Sequence, residues 1–154
     1  MGLGLPRNQS FLNRPPSGIW FNQQVGGTIQ FSEPQRFRNS MFSATPGIYV
    51  ALVPDVNGAP RKFRALYFGQ AENANERVST SHERYWDWVR AAGGAQNLFM
   101  AFHWMPRSTE EQRCAVEDEL IAFYKPQCNK TANRSNPTLA SFAGLPKPPR
   151  SFYL

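Results

Sequence analysis

The segment from 47 to 70, GIYVALVPDVNGAPRKFRALYFGQ, constrains this chain more than any other. Two β-prone runs, at 47–54 and 63–69, are separated by a connection containing Asn57-Gly58. β-Branched and aromatic side chains suit a pleated, half-buried surface, and Asn-Gly is a strong hairpin cue. The pattern predicts two antiparallel strands joined by a connection longer than a two-residue turn. Each run carries a tyrosine, Tyr49 and Tyr67.

Beyond the hairpin, helix and strand signals alternate. NANERVSTSHERYWDWVRAAGG predicts a helix, with Asn73 as a cap and Gly93-Gly94 as its stop. NLFMAFHWM is a short apolar and aromatic run, expected as a third strand and ended by Pro106. STEEQRCAVEDELIAFYKP opens with a capping box expected at Ser108 and Glu111, and must close before Pro126. Upstream, IWFNQQVGGTIQF predicts a small hairpin turning at Gly26 and Gly27. The expected organisation is a basic N-terminal arm over 1–43, a domain over 44–130 and a Pro-rich arm over 131–154.

Charge shows the same division. The chain of 154 residues carries a net +6. Residues 1–46 hold four arginines against Glu33, and 130–154 hold Lys130, Arg134, Lys147 and Arg150 against no acid, while 47–129 is near neutral. Basic ends around a neutral centre suit a partner made of phosphates, because cations displace the counterions of a nucleic-acid backbone. No stretch approaches the roughly 18 apolar residues of a membrane span. The first 30 residues carry polar side chains where a signal peptide needs an apolar run. A soluble, cytoplasmic protein is expected. Two cysteines, Cys114 and Cys128, make no disulfide framework, and with His82 and His103 they make no zinc constellation.

One residue conflicts with its surroundings. On the helix from 109 to about 124, Cys114, Leu120, Ile121 and Tyr124 fall on one face, and Glu117 sits within it. At about 100° per residue, Glu117 lies about 40° from Ile121 and about 20° from Tyr124. A carboxylate set into a packing stripe needs a cation or a donor, since burying it alone costs several kcal/mol. A structural ion pair with an arginine would satisfy it, and so would a hard divalent metal, which favours carboxylate oxygen and accepts water for the rest of its shell.

These residues, taken in order, resemble the GIY-YIG nuclease family. Gly47-Ile48-Tyr49 matches the first motif and Tyr67-Phe68-Gly69 the second, with Phe in the variable place. Arg77 comes ten residues after Tyr67, within YFGQAENANERV. Glu117 opens EDELIAFYKPQCN, where the family has a Glu, a Leu-Ile pair, a Pro and an Asn, here Asn129. The resemblance covers residues 44–130. It implies an α+β fold with a three-stranded antiparallel sheet flanked by helices, and phosphodiester hydrolysis assisted by one Mg²⁺ or Mn²⁺ held by Glu117.

The implied roles are specific. Tyr49 is the base or base relay for the attacking water, which requires nearby cations to lower its phenol pKa from about 10. Tyr67 positions water or phosphate. Arg77 offers a planar fork to phosphate oxygens, a task for which lysine is less suited. Asn129 ties the site together by side-chain hydrogen bonds. His82 comes five residues after Arg77, about 140° around an ideal helix, so the two share a face only if the helix starts late or bends at Ser79-Thr80-Ser81. Within the site it would be a general base or a phosphate contact, and outside it an exposed or capping residue.

Departures from the family are informative. Seventeen residues separate Tyr49 from Tyr67, longer than the family's usual spacing, and Arg61, Lys62 and Arg64 in that loop are candidate substrate contacts. Gln70, also a candidate contact, stands where many relatives have lysine. Tyr85, Trp86, Trp88 and Trp104 could stack on bases, though helix aromatics are more often core. His103 is expected to be structural.

The leading expectation is a metal-dependent endonuclease acting on double-stranded DNA, with recognition from the arms, the long loop or a homodimer. Three settings fit: a restriction-type enzyme, a toxin delivered into a target cell and held by an immunity protein, or a repair or mobile-element nuclease acting on branched DNA. The alternatives are a catalytically silent nucleic-acid-binding module and an interaction protein that docks a partner through its Pro-rich tail.

Overall fold

The computed structural model describes residues 18–129, apart from 25, 59 and 60. Its first element is the expected small hairpin, β1 (Ile19–Asn22) and β2 (Thr28–Phe31), with Ile19 opposite Phe31. Gly26 and Gly27 turn it at φ of 88° and 94°, a region that glycine enters without a Cβ clash. A second sheet comprises β3 (Gln35–Arg36), β4 (Gly47–Pro54), β5 (Phe63–Ala71) and β6 (Phe99–Trp104) in the order β3-β6-β4-β5, antiparallel throughout. Between β5 and β6 lie α1 (Ala74–Arg77), α2 (Tyr85–Ala92) and a 3-10 turn (Ala95–Asn97). α3 (Glu110–Tyr124) comes after β6.

The fold is α+β with antiparallel sheets. The three expected strands are contiguous in the larger sheet as β6-β4-β5, with β5 at its edge. It has four strands because Gln35 and Arg36 pair with Met100 and Phe99 on the free edge of β6. Two polar residues carry no periodicity from which a strand could be read.

β4 has seven of its eight residues buried, because both faces of the sheet are covered. Tyr49, Ala51 and Val53 pack with Tyr85 and Trp88 of α2, whereas Ile48, Val50 and Leu52 pack with the β1–β2 hairpin and Leu120 of α3. Each fully buried side chain of this size contributes about 1.5–3 kcal/mol. Ile19, Phe21, Ile29 and Phe31 are buried in that second cluster, so part of the segment expected as an arm belongs to the core. The rest of that arm, residues 1–17, and the whole of the C-terminal arm lie outside the described residues.

Two local expectations shift. The single helix expected from Asn73 to Gly93 is two helices. Asn73 does cap the first, its Oδ1 accepting from the Glu76 amide at 3.3 Å, and Gly93 does end the second at φ 76°. Between them, Ser79 and Ser81 bond to each other through their hydroxyls at 2.7 Å, and the Ser81 amide donates to Ser79 Oγ. Such local bonding competes with the helical ladder. The capping box of α3 falls at Thr109 and Gln112, one residue later than Ser108 and Glu111. Ser108 instead accepts from Arg113 through both its carbonyl and its hydroxyl. No helix among the described residues is long and apolar enough to cross a membrane.

Candidate active site

Tyr49 and Tyr67 lie on the same face of the sheet, their rings stacked with centroids 6.1 Å apart. Trp88 closes over both, at 6.3 and 5.3 Å. The motif glycines have a steric reason. Gly69 is directly opposite Tyr49, whose ring lies across the strand, so a Cβ there would meet Cε2 at 2.8 Å and run into Cζ and Oη. A Cβ on Gly47 would strike the His103 carbonyl and sit 2.7 Å from the Phe102 ring. Neither position has room for a side chain.

The break after α1 settles where His82 points. It lies in the turn between the two helices, where its ring enters the site and its Nε2 comes 2.8 Å from Tyr49 Oη. Its Nδ1 accepts from the Arg84 amide at 2.9 Å. A neutral imidazole has one N–H, so with Nδ1 accepting, the proton resides on Nε2, which donates to Tyr49. Burial, then the neighbouring Arg77, push the His82 pKa down to about 3, so the ring is neutral at pH 7. In this state His82 gives a hydrogen bond to Tyr49 and is not poised to take its proton.

Arg77 closes α1 and is clamped by Glu83, Nη1 to Oε2 at 2.8 Å and Nη2 to Oε1 at 2.5 Å. Sequence reading missed Glu83, since an acid six residues along implies no contact until the helix breaks. Burial raises the pKa of Tyr49 well above its usual value, with Tyr67 adding to the effect, and Arg77 opposes this only in part. Tyr67 is raised chiefly by burial and then by the charge of Glu117. The expectation that nearby cations lower the Tyr49 pKa is therefore reversed: the phenol is covered on all sides, and desolvation outweighs one guanidinium. Tyr67 Oη is buried with no hydrogen bond of ordinary geometry, although Tyr49 is near enough to ease its ionisation.

α3 contributes Glu117, which is 1% exposed and close enough for its charge to raise both phenols. Leu120 beside it is fully buried, while Cys114, Ile121 and Tyr124 of the expected face are half-buried. Among the described residues, no group of three or more His, Cys, Asp or Glu side chains is placed to cage a metal. A buried carboxylate beside an orphaned phenol oxygen is nevertheless a hard-oxygen set that fits Mg²⁺ or Mn²⁺ with water in the remaining positions. Asn129 clamps the edge strand: its Oδ1 accepts from the Phe68 amide at 2.9 Å and its Nδ2 donates to the Phe68 carbonyl at 3.0 Å. β5 has no neighbouring strand on that side among the described residues, so the side-chain amide stands in for a missing partner peptide.

No protein-family model, curated protein or solved structure matches this chain.

An open cleft of about 930 Å³ is lined by Gln70, Arg77 and His82, with Glu72 and Glu76 also on its wall. The loop cations are elsewhere. Arg64 pairs with Val53 across the hairpin, four residues along β4 from Tyr49, which is about 13 Å at strand rise. Arg61 is held by both oxygens of Glu33 and by the Gly18 carbonyl, and Arg64 by Asp55 at 3.3 Å. Lys62 is exposed at the same turn. The four aromatics divide: Tyr85 and Trp88 are core, whereas Trp86 and Trp104 are 68% and 39% exposed. His103 bonds to the Gln30 carbonyl at 2.8 Å, joining the hairpin to β6. Cys128 is buried and Cys114 half-buried, and neither forms a disulfide.

Proposed function

We propose that this chain is a divalent-metal-dependent phosphodiesterase of the GIY-YIG nuclease type, acting on DNA. One observation carries the reading: Tyr49, Tyr67, Arg77, His82 and Glu117, drawn from two strands, two helices and a turn, form one electrostatically coupled cluster, of which Arg77 and His82 line a cleft. A buried carboxylate, an arginine and two desolvated phenols are costly to place together, and titratable groups shifted by burial beside a cleft argue for a functional role. The strands β6-β4-β5, with β4 central, fit the three-stranded sheet that the resemblance implies.

Glu117 would hold the metal, which when bound supplies positive charge to the scissile phosphate and its leaving oxygen. Arg77, immobilised by Glu83 on the cleft wall, would place its guanidinium against the non-bridging oxygens. His82 donates to Tyr49 Oη and stabilises negative charge on that oxygen. Because Tyr49 is protonated before substrate arrives, acting as a base would require its own proton to pass first to solvent in the open cleft. Asn129 keeps Tyr67 and Gly69 in register by holding Phe68 between them.

A catalytically silent DNA-binding module is favoured by one observation, the raised pKa of both phenols. Supercoiled plasmid incubated with the protein and Mg²⁺ or Mn²⁺ separates the two. Nicking or linearisation that EDTA abolishes and Glu117→Gln reduces at least a hundredfold supports the enzyme. A mobility shift without cleavage supports the binder. Undiminished cutting by Glu117→Gln would overturn the metal-ligand assignment.

A further inference from the structure

Arg113 is an arginine that the motifs do not predict, and it is 4% exposed. It lies one helical turn before Glu117 on the buried side of α3. Its Nε donates to Gln70 Oε1 at 2.9 Å, and its Nη1 to the Ser108 carbonyl and hydroxyl at 2.8 and 3.2 Å. The three acceptors that these bonds reach are neutral oxygens.

Gln70 links Arg113 to the cleft. An arginine Nε–H only donates, so the Gln70 atom facing it must be the carbonyl oxygen, which fixes the amide orientation by chemistry. Gln70 also lines the cleft, so with Oε1 turned inward its Nε2 amide is the prong left to face the cavity. Arg113 polarises that amide, making its N–H groups better donors. Arg77 lines the same cleft, its guanidinium held by Glu83.

We propose that Gln70 Nε2, oriented and polarised by Arg113, is a contact for a non-bridging oxygen of a nucleic-acid phosphate, with Arg113 acting as a positioning residue. This deepens the phosphodiesterase reading in naming the phosphate contact, but needs only phosphate binding and not cleavage. It also accounts for glutamine where a lysine would be the simpler phosphate ligand: a lysine could not accept from Arg113 and would place a second cation against it.

The test uses the full chain with ¹⁵N-labelled glutamine side chains and the dinucleotide d(TpT) as probe. The Gln70 Nε2 protons should shift downfield saturably, and Arg113→Lys should reduce the shift at least fivefold. Gln70→Glu keeps an acceptor for Arg113 and so keeps the fold, but replaces the donor with a negative oxygen. It should weaken binding of a short DNA duplex at least tenfold in anisotropy and raise KM with little change in kcat. An unmoved Gln70 resonance, or a Gln70→Glu protein that binds and cuts with unchanged KM, overturns the proposal. Loss of all cleavage in the parent with the d(TpT) shift retained would sink the hydrolytic reading and leave this contact standing.

Discussion

Replacing Gly69 by alanine tests the packing on which the site depends. The added methyl would lie 2.8 Å from Cε2 of Tyr49 and closer still to Cζ and Oη. The ring has nowhere to retreat, since Tyr67 stacks at 6.1 Å and Trp88 sits at 6.3 Å. Overpacking of this kind costs about 1–3 kcal/mol. A displaced ring also loses the 2.8 Å bond from His82, a further loss of about 1 kcal/mol. Gly69→Ala should therefore destabilise the protein by about 2–4 kcal/mol, a large share of a typical domain's stability. Urea unfolding monitored by tryptophan fluorescence measures this directly. A double-mutant cycle isolates the cause: in a Tyr49→Leu background the ring is gone, and the same methyl should cost less than about 1 kcal/mol. Equal costs in the two backgrounds would refute the steric account of the motif glycine.

The same geometry predicts two further outcomes. The folded pKa of His82, about 3, lies below its unfolded value near 6.5, so the unfolded chain binds the extra proton first. Its contribution to stability is complete above pH 6.5 and declines as pH falls toward 3, by about 1.4 kcal/mol per pH unit; His82→Gln should flatten that part of the urea-unfolding profile, and an identical profile would contradict the buried neutral ring. Asn129→Ala removes both bonds to Phe68 and should cost about 1–3 kcal/mol, with faster hydrogen exchange at the Phe68 amide. An unchanged exchange rate would show that the clamp is dispensable.

Much of this protein is legible along the chain because the relevant physics is local. The hairpin at 47–71 arises from β-prone runs around Asn-Gly, the small hairpin from its paired glycines, and the end of α2 from Gly93. Glu117 could be singled out because a charge within an apolar helical face conflicts with its neighbours over a single turn of helix. Other features depend on competition that periodicity does not weigh. The segment 73–94 has helix signals throughout, yet serine side chains at 79 and 81 divide it, and that division decides where His82 goes.

The pairings that define the site lie beyond sequence reach. Gln70 meets Arg113 from 43 positions away, and Arg77 meets Glu83 across a broken helix. The direction of the Tyr49 pKa shift was equally hidden, because desolvation depends on what covers both faces of the sheet and not on how many cations lie nearby in the chain. By itself the sequence determined which side chains of chemical consequence are present and on which local elements they ride. Only the tertiary structure decided which of them meet, which are shielded from water and which hydrogen bonds they keep, since Coulomb forces and desolvation act through space.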